Sequence, residues 1–280
     1  MMKIGVRISC LEEKLNFEKE FKKMVEMGIS SCQLSVFNMS HYTKENAETV
    51  KRQAEEYGIE ISALWAGWTG PCEWNFTAGP DTLGIVPVAY RDKRVQELLK
   101  GSQFAEWLGI KNVITHVGFI PENMSDPNYA GVVAALRYIC NIMKSRGQNF
   151  LFETGQETPV TLLRTIEAVG TGNMGINLDT ANLILYGKAN PVDALDVIGK
   201  YVMDTHIKDG MYPTCGDKLG KETRIGDGKV DFFNFVKKLH ELGYTGPLTI
   251  EREITGEEQT RDIIYAKAYL EDIKAKLNIQ

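Results

Sequence analysis

Along the chain, short apolar runs of strand length alternate with longer stretches whose apolar positions recur every three or four residues. One local pattern repeats. A helix-like stretch ends at glycine, and a β-rich run follows within a few residues. The cases are Met27-Gly28 before SSCQLSV, Tyr57-Gly58 before IEISALW, Leu108-Gly109 before KNVITHV, Arg146-Gly147 before NFLFE and Leu242-Gly243 before PLTIE. Glycine after the last turn takes the left-handed conformation that satisfies orphan carbonyls. Helix starts are marked too: Asp126-Pro127, Thr158-Pro159 and Asn190-Pro191 each read as an N-cap followed by proline at the first helical position.

These signals predict strands at 4–8, 31–36, 59–65, 112–117, 149–153, 174–179, 202–208 and 247–251. They predict helices at 15–27, 43–57, 91–108, 127–146, 159–169, 191–199, 231–242 and 257–275. Strict alternation implies parallel strands with helical crossovers. Eight such units in 280 residues fit a closed (β/α)8 TIM barrel of the α/β class, which takes roughly 250. An open doubly wound sheet would carry a Gly-rich turn after its first strand, and here that strand ends Ile8-Ser9-Cys10-Leu11. No linker or shift in composition interrupts 1–280, so one domain is expected. Two connections, 66–90 and 209–230, are too long for simple turns. Both follow strands and fall on the catalytic face of a barrel, where long loops bind or cover ligands.

Composition narrows the function. The net charge of −5 argues against a nucleic-acid partner held by phosphate neutralisation. The five cysteines form no C-x-x-C and suggest reduced thiols. No apolar run approaches the roughly 18 residues of a membrane span. Met1-Met2-Lys3-Ile4 enters strand-like sequence without a signal-peptide pattern, so a cytoplasmic location is expected. Assembly is left open, a homo-oligomer included.

The chemistry sits at strand ends. Glu153, Asp179, His206 and Glu251 each lie at or near the last residue of an apolar run, on four successive strands. Alternation sets Glu153 with Leu151 opposite Phe150 and Phe152, and Asp179 with Asn177 opposite Ile176 and Leu178. It sets Glu251 with Thr249 opposite Leu248 and Ile250, and His206 with Asp204 and Lys208 opposite Met203 and Ile207. Apolar faces meet the helices, so the charged groups point into the barrel mouth. Three converging carboxylates repel one another unless a cation joins them. With an imidazole they form an oxygen-rich set suited to one divalent metal ion, Mn²⁺ or Mg²⁺ first, Zn²⁺ or Co²⁺ next. The alternative is four separate ion pairs with Lys or Arg. His116, at the end of the fourth strand, is a candidate substrate contact. Glu157, Lys208 and Arg224 are further polar candidates, and Trp68, Trp74 and Phe76 are aromatic ones on the first long loop.

The segments TLGIVP (82–87), THVGFIPE (115–122), FETGQET (152–158), NLDTANLILYG (177–187), THIKDG (205–210), GDGKVDF (226–232) and GPLTIERE (246–253) resemble the sugar phosphate isomerase/epimerase family, the xylose-isomerase-like barrels. The resemblance implies a TIM barrel with one divalent metal held by Glu153, Asp179, His206 and Glu251. It implies that Glu153 and Glu251 also exchange a substrate proton. Family epimerases acting on free ketoses carry a His three residues after the Asp ligand; here that position is Asn182, a substrate-side candidate. With only His41, His116, His206 and His240, the chain lacks the ligands of the family's trinuclear zinc endonucleases. The expected function is a metal-dependent isomerase or epimerase. It would move the proton alpha to the carbonyl of a ketose, ketose phosphate or related polyol. Alternatives are an inosose-type dehydratase on the same site, or a barrel that binds sugar or metal without turnover.

Overall fold

The computed structural model describes residues 2–10 and 13–279; Met1, Leu11, Glu12 and Gln280 lie outside it. The barrel strands are β1 (Ile4–Ser9), β2 (Ser31–Val36), β3 (Glu60–Ala66), β4 (Asn112–Thr115), β5 (Asn149–Glu153), β6 (Met174–Asp179), β7 (Val202–Ile207) and, after a hairpin, β10 (Leu248–Ile250). They close in the order β1-β10-β7-β6-β5-β4-β3-β2 with every pair parallel. The crossover helices are α1 (Glu18–Glu26), α2 (Lys44–Tyr57), α4 (Val88–Leu108), α5 (Pro127–Ser145), α6 (Pro159–Val169), α8 (Pro191–Ile198), α9 (Phe232–Glu241) and α10 (Glu257–Lys276). This is the (β/α)8 TIM barrel that the alternation predicts. Among the described residues no helix is long and apolar enough to cross a membrane.

The local signals act as read. Asp126, Thr158 and Asn190 cap α5, α6 and α8 through side-chain oxygens, each with proline in the first turn. Gly58 and Gly109 end α2 and α4 at φ 66° and 79°.

The main core lies between barrel and helices, where Phe150, Phe152, Ile176, Leu178, Leu248 and Ile250 are buried. A smaller plug of Ala63, Trp65, Ile114 and Leu151 fills the barrel interior. Met203 packs against this plug rather than outward with Ile207, which corrects the simple alternation of β7. Val202 pairs with Ile176 and Asp204 with Asn177, so Met203 is an extra residue in a bulge that re-aims its side chain. Gly175 leaves the space that Met203 and Leu151 fill.

Elements beyond the predicted set include α3 (Gly79–Thr82), α7 (Thr180–Leu185) and the antiparallel hairpin β8 (Asp209–Met211) with β9 (Lys221–Thr223). α7 starts directly at the end of β6, with Asp179 as its N-cap accepting from the Asn182 amide at 2.7 Å. The second long loop is organised by Asp209, whose buried carboxylate accepts the amides of Gly210, Gly226, Gly228 and Val230 at 2.8 to 3.1 Å. A Cβ on Gly228 would stand 2.1 Å from Asp209 Oδ1, so only glycine allows that approach.

Candidate metal and sugar site

The parallel register brings the strand ends to one level. His206 is paired with Asp179 on one side and Thr249 on the other, and Glu153 with Asn177. Glu153, Asp179, His206 and Glu251 are all buried, and each offers a ligand atom within 4.8 Å of the other three. His206 Nδ1 lies 2.9 Å from Glu153 Oε1, 3.2 Å from Glu251 Oε2 and 3.6 Å from Asp179 Oδ2. Its other nitrogen, Nε2, is 2.6 Å from Gln33 Oε1. An amide oxygen only accepts, so the hydrogen sits on Nε2 and Nδ1 faces the three carboxylates.

A bare Nδ1 lone pair beside three carboxylate oxygens is repulsive. A proton or a metal ion must lie between them. Without metal the proton serves: burial alone would lower His206, but Glu251 and Glu153 hold it well above the usual imidazole range. Burial pushes Glu153 upward, yet His116 and His206 keep it well below the usual carboxylate range. Glu251 is likewise raised by burial and driven well down by His206, Lys208 and Arg7. Burial takes Asp179 up to about 6, against the nearby Lys208. The donor set fits a divalent ion: three hard carboxylate oxygens and an imidazole nitrogen converge in a buried cluster within 4.8 Å of one another.

Ion pairs are present as well, but they converge on this one centre. Lys208 Nζ is 2.8 Å from Glu251 Oε2, 3.1 Å from Asp179 Oδ2 and 3.1 Å from Glu253 Oε2. Arg7 Nε is 2.9 Å from Glu251 Oε1. Glu153 Oε2 receives the Trp65 indole N–H and lies 3.2 Å from His116 Nε2, while Asn182 Nδ2 approaches Oε1 at 3.5 Å.

Above the centre lies a cavity of about 290 Å³ lined by Arg7, Phe37, Trp65, Trp74, His116, Glu153, Asn182, Leu185, Tyr186, Leu219, Glu251 and Glu253. The first long loop supplies one wall. Trp74 meets His116 edge-on at 5.0 Å between ring centroids, and Phe76 meets Tyr186 at 6.0 Å. The loop is tied down rather than loose. Arg94 of α4 is fully buried beneath it and donates to the carbonyls of Thr69, Pro71, Thr82 and Gly84 at 2.6 to 3.1 Å.

Of the residues that the sequence singles out, Trp74, His116, Asn182, Glu153 and Glu251 line the cavity. Asp179, His206 and Lys208 lie just beneath it. Glu157 is buried beside the site with neither carboxylate oxygen hydrogen-bonded. Two substrate-side candidates stand away from the cavity lining. Trp68 stands behind Trp74, its face covered by Arg94 at 4.2 Å, and does not line the cavity. Arg224 is outside it, pairing with Asp227 at 3.1 Å and lying over Tyr265 of α10. Arg7, Gln33, Trp65, Phe37, Tyr186, Leu219 and Glu253 are contributors that strand-end charges alone do not reveal. Arg7 and Gln33 carry a signal: they are polar residues on the inward faces of β1 and β2, opposite Val6, Ile8, Cys32 and Leu34.

The fold agrees with the comparisons. Residues 21–272 match the family model described as xylose isomerase-like TIM barrel, and the chain belongs to that family. The crystal structure of a xylose isomerase domain protein from Planctomyces limnophilus superposes with a TM-score of 0.92 at 33% identity, covering 99% of both chains. A D-tagatose 3-epimerase-like protein shares the fold with a TM-score of 0.77 at 21% identity, over 99% of this chain and 98% of that one. An uncharacterized protein of Methanocaldococcus jannaschii is 27% identical over 179 residues, 59% of this chain and 58% of that protein's length.

Proposed function

We propose that this chain is a divalent-metal-dependent sugar isomerase or epimerase that moves the proton alpha to a carbonyl. The observation that carries the reading is the convergence of Glu153, Asp179, His206 and Glu251 within 4.8 Å at the floor of the aromatic-walled cavity. These four residues would hold the ion, with Mn²⁺ or Mg²⁺ favoured by their oxygen-rich set. A bound ion supplies Lewis acidity toward the substrate carbonyl and its neighbouring hydroxyl.

The protein's own groups do the rest. Glu153 and Glu251 come from strands separated in the barrel by β6 and β7, so they approach a substrate from different sides. Both are held ionised by their neighbours, which makes each a base for a carbon-bound proton. His116 beside Glu153, and Lys208 beside Glu251, hold N–H groups at the two carboxylates. Proton return at the same carbon, on the opposite face, inverts it; return at the former carbonyl carbon, with the hydroxyl proton passing to the former carbonyl oxygen, moves the carbonyl. Trp65, Trp74 and Tyr186 exclude water and offer apolar faces to a sugar ring.

The test is exchange of the alpha proton with D₂O in the metal-loaded protein, across ketoses, ketose phosphates and inososes. Exchange with a rearranged sugar supports the reading. Loss of water from the product would make the protein a dehydratase. Binding without any exchange would make it a binding barrel.

A further inference from the structure

We infer that the cavity takes an uncharged sugar and rejects its phosphorylated counterpart, with Glu253 at the rim as the residue that sets this selectivity. The inference rests on the proposed sugar chemistry and names its substrate class.

Charge balance carries the argument. Four carboxylates surround the centre: Glu153, Asp179, Glu251 and Glu253. Against them stand Arg7, Lys208 and the two charges of a divalent ion. Among these groups the charges cancel, and none of them is left over for a phosphate dianion. Both cations are also engaged in place. Arg7 Nε is 2.9 Å from Glu251, and Lys208 is buried beneath the wall with three carboxylate partners within 3.1 Å. His116, the other group able to carry charge in the wall, is turned to Glu153 Oε2 at 3.2 Å. Among the cavity-lining residues Arg7 is the one Lys or Arg.

Phosphate recognition ordinarily uses several free N–H donors, a helix N-terminus or an Arg fork. The helix that starts in this site is α7, and its first turn is already capped by Asp179. In the remaining wall Asn182 turns its amide toward Glu153 Oε1 at 3.5 Å, and Phe37, Trp65, Trp74, Leu185, Tyr186 and Leu219 are largely apolar. Such a wall stacks on the C–H face of a neutral ring and offers an anion only scattered neutral donors. The volume of about 290 Å³ lies at the small end of ligand pockets, which start at roughly 300 Å³, and suits one sugar ring.

Glu253 is the group placed to discriminate. It lines the cavity, and its side chain is 50% exposed, whereas those of Glu153 and Glu251 are buried deeper. Lys208 Nζ, 3.1 Å from its Oε2, and the Glu222 carboxylate, which accepts the Glu253 amide at 3.1 Å, fix it at the rim. An anion in the cavity shares it with this half-exposed carboxylate, and like charges brought together are costly.

The experiment follows intrinsic tryptophan fluorescence, to which Trp65 and Trp74 of the cavity wall contribute, during titration of the full chain with and without Mn²⁺. The probes are D-fructose, D-fructose 6-phosphate and inorganic phosphate. The unmodified protein should bind the phosphate ester about tenfold or more weaker than the neutral sugar, if the ester binds at all. Inorganic phosphate should leave the metal-free signal unchanged. Glu253→Gln should narrow the gap and Glu253→Lys should close or reverse it, with phosphate binding gained in the metal-free protein. Tighter binding of the ester by the unmodified protein, or phosphate quenching before any substitution, overturns the selectivity. Failure of Glu253→Lys to gain phosphate binding overturns the role of Glu253. Binding is read here without turnover. Absence of proton exchange would therefore sink the isomerase reading while leaving this result standing.

Discussion

Gln33 Oε1 accepts the Nε2–H of His206 at 2.6 Å, and the same amide donates through its Nε2 to Asn177 Oδ1 at 3.0 Å. The second bond fixes which way the amide points, and the first then fixes the imidazole tautomer. Gln33 thus decides which His206 nitrogen is offered to the carboxylate centre. Groups that orient a metal-binding histidine typically contribute about 10 to 100-fold in metal affinity. Gln33→Leu should weaken divalent-metal binding by that range in calorimetric titration. Gln33→Glu, which keeps the acceptor, should recover part of it. Unchanged affinity in Gln33→Leu would show that the carboxylates alone orient the ring.

Glu157 gives a pH signature that metal does not have to report. Burial raises its carboxyl from 4.5 to about 8, more than the nearby His116 lowers it. From about 4.5 to about 8 the folded protein keeps a proton that the unfolded chain releases. Stability contributed by this group therefore falls as pH rises through that window, by up to about 1.4 kcal/mol per pH unit. Glu157→Gln cannot ionise. Urea unfolding from pH 5 to pH 9 should show the variant gaining on the parent as pH rises and levelling above about 8. A constant difference between the two would mean that Glu157 is ionised throughout.

Arg94 is expected to govern the wall that carries Trp74. It bonds four loop carbonyls and is sandwiched between Trp68 at 4.2 Å and Tyr90 at 4.7 Å. Hydrogen bonds to a charged group contribute about 1.5 to 3 kcal/mol each, so Arg94→Met should cost at least about 3 kcal/mol. Limited proteolysis should then cut first within 67–87, and tryptophan emission should shift to the red. Cleavage elsewhere would show that the loop is held by its other contacts, among them the Glu97 carboxylate, which accepts the Thr69 amide at 2.9 Å.

What the sequence carries plainly is whatever depends on local chemistry. Glycines after helices, prolines after N-caps and the two-residue alternation place the eight barrel strands and the four ligand candidates. Elements whose stability comes from distant partners are less legible. The β8–β9 hairpin is too short and polar to declare itself, and depends on one buried carboxylate, Asp209, gathering four amides. α7 is hidden because Asp179 ends a strand and caps a helix at once. Met203 reads as outward until a bulge turns it inward. Trp68 and Trp74 are equivalent in sequence. Arg94, 26 and 20 residues further on, determines by stacking that one is support and the other wall. Arg7 and Gln33 are polar residues on inward strand faces, a signal present in the alternation but weaker than a strand-end carboxylate.

The two glutamates should separate from the aspartate when each is replaced by its amide. Glu153 and Glu251 both line the cavity, whereas Asp179 lies beneath it, capping α7 through Oδ1 and turning Oδ2 toward His206 and Lys208. Each amide keeps one oxygen for the metal and removes the capacity to take a proton. General acid–base catalysis contributes about 10² to 10⁴-fold. Glu153→Gln and Glu251→Gln should lose turnover in that range even at saturating metal, with the metal still bound. Asp179→Asn should act mainly through metal affinity, so excess Mn²⁺ should restore much of its turnover. The comparison at saturating metal isolates proton transfer from ligation. If the two glutamine variants recover as fully as Asp179→Asn, Glu153 and Glu251 are ligands alone. The proton would then travel through His116, 3.2 Å from Glu153, or Lys208, 2.8 Å from Glu251.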